Sequence, residues 1–67
     1  MRRLLRLPEV MNRIPYSRPS IYRKIAAGEF PRPYDLGGNG RAVAWLESEI
    51  EAWIAERVDR ARNAKVA

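Results

Sequence analysis

The apolar residues of the chain change their spacing from one stretch to the next, and each change predicts an element. After Pro8, which suits the start of a helix, Val10, Met11 and Ile14 recur at helical spacing, with Glu9 at the positive end of the dipole. Pro15 ends this first short helix, because the residue before a proline is pushed out of helical geometry, and Tyr16 falls in the turn. Ser17 is a natural N-cap, Pro19 and Ser20 are tolerated in a first turn, and Gly28 supplies the cheapest stop. A second helix is therefore predicted over about 18–27, with Ile21 and Ile25 on its packed face and Arg18, Arg23 and Lys24 projecting elsewhere.

Pro31-Arg32-Pro33 then holds the chain extended. Two strand-compatible runs at 34–36 and 43–45 flank Gly37-Gly38-Asn39-Gly40-Arg41-Ala42, the mark of a hairpin whose glycines and Asn supply positive φ values. From Glu47 the helical period returns, with Ile50, Trp53, Ile54, Val58 and Ala61 predicted to face inward. Glu47, Glu49 and Glu51 crowd its first turn or so and Arg57, Arg60 and Arg62 its far end, matching the helix dipole. The three acids are not expected to converge on one face, which argues against a carboxylate pair or a metal site. Residues 63–67 carry no cap and no period and are expected to fray. The fold class is mainly α with a small β-hairpin, in the helix, turn, helix, hairpin, helix order of a winged helix-turn-helix. With 67 residues, a single domain is expected over 1–67, its core at about 7–62.

Composition narrows the chemistry. The absence of Cys and His removes disulfides, thiolate nucleophiles, zinc ligation and the commonest general base, so neither an enzyme nor a cofactor is expected. No apolar run is long enough for a bilayer and no signal-peptide pattern opens the chain, which predicts a cytoplasmic, nucleoid-associated protein without a membrane partner. The net charge of +5 is distributed unevenly. Residues 1–24 hold seven Lys or Arg against one acid, whereas residues 25–67 hold six against seven. One basic half on an otherwise balanced chain is the footprint of a phosphate-binding protein, and equally that of a solvated basic face.

The run Ser17-Arg18-Pro19-Ser20-Ile21-Tyr22-Arg23-Lys24-Ile25-Ala26-Ala27-Gly28-Glu29-Phe30-Pro31, then Gly37-Gly38, then Trp45-Leu46-Glu47-Ser48-Glu49-Ile50-Glu51-Ala52-Trp53-Ile54, resembles the AlpA family of phage and prophage regulators. These are grouped with excisionase-like, MerR-related DNA-binding domains. The resemblance covers roughly residues 7–57 and departs at Pro19, where Ser or Thr is usual, and at the Asn39-Gly40 pair. It implies a sequence-specific DNA-binding regulator of transcription or of site-specific excision, with a phage integrase as a possible partner in the second case.

On that reading the second helix enters the major groove and the wing, about 36–43, meets flanking backbone or minor groove. Arg18 is placed to read a guanine edge, with Ser20 and Arg23 further along the same exposed arc. Ser17 is a cap beside a natural phosphate site, Tyr22 either packs beside Ile25 or donates to phosphate, and Lys24 is a phosphate contact or a solvated lysine. Asn39 and Arg41 sit at the wing tip. Arg2, Arg3 and Arg6 form either a basic arm or a solvated tail, while Trp45, Trp53 and Phe30 are expected in the core and not as base-stacking platforms. A single module offers little interface to duplex DNA, so self-association on the DNA is expected, as a dimer or head to tail. The competing reading is a protein-interaction adaptor docking an acidic partner through the basic face.

Overall fold

The computed structural model describes residues 3–66. In chain order the elements are β1 (Leu4–Leu5), α1 (Leu7–Met11), α2 (Arg18–Ala26), β2 (Tyr34–Asp35), β3 (Val43–Leu46) and α3 (Glu47–Val66). The architecture is mainly helical with a small antiparallel sheet, a winged helix-turn-helix. The sheet has three strands in the order β1-β3-β2, where the sequence predicts a two-stranded hairpin. β1 pairs with β3 through Leu4↔Leu46 and Leu5↔Trp45, and β2 pairs with β3 through Tyr34↔Ala44 and Asp35↔Val43. A two-residue strand has no period to read, so β1 is visible only through its partner. It matters nonetheless: Leu5 is fully buried, so the packed core reaches back to residue 5, and the Arg3 carbonyl accepts the Glu47 N–H at 2.9 Å.

The core is one cluster of Leu5, Val10, Ile14, Ile21, Phe30, Trp45 and Ile50, with Leu7, Met11, Tyr16, Ile25, Trp53 and Ile54 packed around it. Each fully buried aliphatic side chain contributes about 1.5–3 kcal/mol against exposure. α1 starts at Leu7 with Pro8 in its first turn and stops at Met11, three residues short of the expected Ile14; Ile14 is buried from the turn instead. The Glu9 carboxylate accepts the Arg6 N–H at 3.0 Å, which closes the N-terminus of this helix.

α3 departs most from its sequence pattern. Ile50 is fully buried and Trp53 and Ile54 are half-buried, but Val58 is 47% exposed and Ala61 is exposed. A 20-residue helix is about 30 Å long. The rest of so small a protein supports only its first half. The helix also continues through Asn63 to Val66 where fraying is expected, while Ala67 lies outside the described residues. Its acids have specific partners beyond the dipole: Glu47 and Glu51, one turn apart, both meet Arg13, at 2.9 and 3.5 Å, so two of the three do converge. Glu49 accepts the Tyr34 hydroxyl at 2.9 Å.

Candidate nucleic-acid interface

α2 is fixed at both ends by the residues expected to fix it. Ser17 stands at the N-cap in extended geometry, its Oγ accepting the Ser20 N–H at 3.4 Å, and Gly28 turns the chain away at φ 74°. Ile21 is fully buried and Ile25 half-buried, which sets the helix's rotation about its own axis. At about 100° per residue, that rotation separates residues expected on a single arc. Arg18 and Tyr22, four apart, share one flank. Ser20, Arg23 and Lys24 lie on the other, lining a shallow groove with Ala27 and Glu29.

The second flank is organised internally. Ser17 Oγ donates to Ser20 Oγ at 3.0 Å, and Arg23 Nη2 donates to the same oxygen at 3.3 Å, so a short chain of bonds steers Arg23 from the cap. Lys24 is half-buried with its Nζ 4.8 Å from the centre of the Tyr16 ring, a cation–π contact tying the helix to the preceding turn. Arg18 is exposed, and among the described residues no hydrogen bond or ion pair engages its guanidinium. Tyr22 is 44% exposed and stands outside the core cluster, so its ring does not pack inward.

The wing is the loop between β2 and β3. Gly38 and Gly40 adopt φ of 74° and 79°, whereas Asn39 does not take the positive φ expected of it. Its Oδ1 instead accepts the Arg41 N–H at 3.0 Å. β2 ends at Asp35, one residue earlier than predicted, and the Asp35 carboxylate accepts the N–H groups of Gly38 and Gly40 at 2.9 and 2.7 Å. Arg41 is exposed, its guanidinium unengaged among the described residues.

Three features escape sequence reasoning. The first is the joint between α2 and the wing. Trp53 Nε1 donates to the Glu29 carbonyl at 2.9 Å, joined there by Arg57 Nη2 at 3.1 Å, and Trp45 Nε1 donates to the Pro31 carbonyl at 2.9 Å. Phe30, buried between these carbonyls, meets the Trp53 ring edge-on at 4.8 Å. The inward spacing of the tryptophans was legible; the acceptors, being backbone atoms, were not. The second is internal neutralisation. Arg3 and Arg13 pair with α3 acids, so Arg3 is neither a free arm nor a simple solvated tail; Arg2 lies outside the described residues. Of the described bases in the basic half, Arg3 and Arg13 are paired within the fold, Arg6 is exposed at the start of α1, and Arg18, Arg23 and Lys24 are carried by α2. The third is Arg32, exposed on the segment between α2 and β2 with no partner among the described residues.

The model of the family described as prophage CP4-57 regulatory protein (AlpA) matches residues 3–58. The chain belongs to the AlpA family. A relative from Enterobacteria phage P4, the uncharacterized protein ORF88, is 52% identical to this AlpA chain over 56 residues, 84% of the chain. The match spans 61% of the phage protein's own length. No solved structure matches the chain. The AlpA match takes in β1, both helices of the helix-turn-helix, the wing and the first half of α3, and ends at Val58, where the side chains of α3 emerge from the core. No helix among the described residues is long and apolar enough to cross a membrane.

Proposed function

We propose that this AlpA protein is a sequence-specific regulator that grips duplex DNA and catalyses no reaction, folding as one unit and working in the cytoplasm on the nucleoid. α2 enters the major groove as the recognition helix, and the wing rests on flanking backbone or minor groove. The observation that carries this reading is the distribution of unengaged cations. Where the fold needs arginine it pairs it, as with Arg3, Arg13 and Arg60, yet Arg18 on α2 and Arg41 on the wing are held out to solvent. Arg18 reads a base edge, with Tyr22 beside it on the same flank. Ser20 and Arg23 meet bases or phosphates from the opposite flank, Lys24 and the capped N-terminus at Ser17 hold phosphate, and Asn39 and Arg41 meet the DNA at the wing. Arg32 adds a phosphate contact between them. Copies of the protein bind side by side, because one module of this size buries roughly 600–1,000 Å² on DNA, too little for tight recognition alone.

The decisive experiment is a titration of duplex binding against ionic strength. With about four to six phosphates neutralised, log K falls against log salt with a slope near −4 to −5. A slope near zero by fluorescence anisotropy removes the DNA reading and leaves the adaptor.

A further inference from the structure

The wing has an unusual source of order. From Tyr34 to Arg41 every residue is exposed, so no buried side chain fixes the loop's shape. Its backbone is nonetheless wound tightly, with glycine at both positive-φ positions, 38 and 40, where any side chain would be strained. The winding turns the N–H groups of Gly38 and Gly40 to one side, and both end on the Asp35 carboxylate, one on each oxygen. Two further bonds shape the loop: the Arg41 N–H donates to Asn39 Oδ1 at 3.0 Å, and the Leu36 N–H donates to the Ala42 carbonyl at 2.8 Å. A hydrogen bond to a charged acceptor is roughly twice as strong as a neutral one, so Asp35 dominates this set.

An acid here is otherwise out of place. Beside a surface that meets phosphate, its negative charge opposes binding. We infer that Asp35 is a positioning residue for DNA binding: its carboxylate pre-shapes the wing so that Arg41 is presented without the loop having to order itself on contact. This rests on the proposed DNA-binding function. The two effects of Asp35 have opposite signs, so substitution reveals which one wins. Charge repulsion from an exposed carboxylate is screened by salt, whereas the cost of ordering a loop is not.

In Asp35→Asn the side-chain oxygen accepts one of the two N–H groups and the NH2 accepts neither. Binding of the full chain to a labelled mixed-sequence duplex is expected to weaken by about three- to tenfold, the scale of ordering one or two side chains on contact. The Gly38 and Gly40 amides should exchange faster with solvent while the melting temperature stays close to wild type. Asp35→Glu, which keeps the charge but displaces the carboxylate by one methylene, should also bind less tightly. In the double variant with Arg41→Ala the loss should not exceed that of Arg41→Ala alone, since Asp35 acts through Arg41. The inference is overturned if Asp35→Asn binds as well as or better than wild type, if Asp35→Glu binds like wild type, or if the Asp35 and Arg41 losses multiply. A wild-type protein that ignores duplex DNA overturns the functional reading instead, and amide exchange at Gly38 and Gly40 then still decides whether Asp35 holds the loop.

Discussion

Helix α2 and the wing each hold an arginine out to solvent, but only the helix has a buried side chain beneath it. Ile21, fully buried, and the half-buried Ile25 lock the rotation of α2, and Ser17 and Gly28 set its ends. The wing has three side-chain bonds and two positive-φ glycines in place of a core. Burial fixes an element against rotation; exposed hydrogen bonds, each worth about 0.5–1.5 kcal/mol net, fix only its local shape. A side chain that must find two acceptors on one base edge needs the first kind of support. One that rests on a sugar-phosphate chain is served by the second. On the proposed function, a division of labour between reading on the helix and holding on the wing would follow from how each is anchored.

The largest expected effect tests the shared foundation. Trp45 is fully buried, pairs with Leu5 across the sheet and holds the Pro31 carbonyl, so Trp45→Ala should cost about 3–5 kcal/mol, comparable to the whole stability of a domain this small. Thermal denaturation should show a chain unfolded or nearly so at 25 °C; a transition like wild type would mean that the two regions do not rest on one core. Trp53, half-buried, should cost less when changed to Ala.

Next comes the test of reading. Arg18→Ala should lose about 1–3 kcal/mol on a site recovered by selection from random duplexes, with much less lost on scrambled DNA and preference relaxed at one base position. Equal losses on both DNAs would move Arg18 from reading to holding. The smallest effect belongs to the wing. Arg41→Ala should weaken selected and scrambled duplexes alike and reduce the salt slope by about 1. A loss confined to the selected site would make the wing a reader and erase the contrast.

What could be foreseen divides along the same line. The cap at Ser17, the stop at Gly28 and the periodicity of Ile21 and Ile25 are local signals, and α2 lies within a residue of its prediction. Family membership was legible for a related reason, since its signature residues lie largely in α2 and the start of α3. β1, the convergence of Glu47 and Glu51 on Arg13, and the carboxylate staple of Asp35 each join residues whose relation appears only once the chain is folded. The exposure of Val58 and Ala61 was hidden for the converse reason: an amphipathic period says which side would be covered, not whether enough protein exists to cover it.

The two indoles at the joint grip carbonyl oxygens, not the side chains of positions 29 and 31. A main-chain acceptor survives any replacement that keeps the backbone path, so this attachment is indifferent to residue identity there. On the functional reading proposed above, the exposed flanks of α2 can drift under selection for a new operator without disturbing the angle between helix and wing. The frame is inherited through two tryptophans, and the text it reads is free to change.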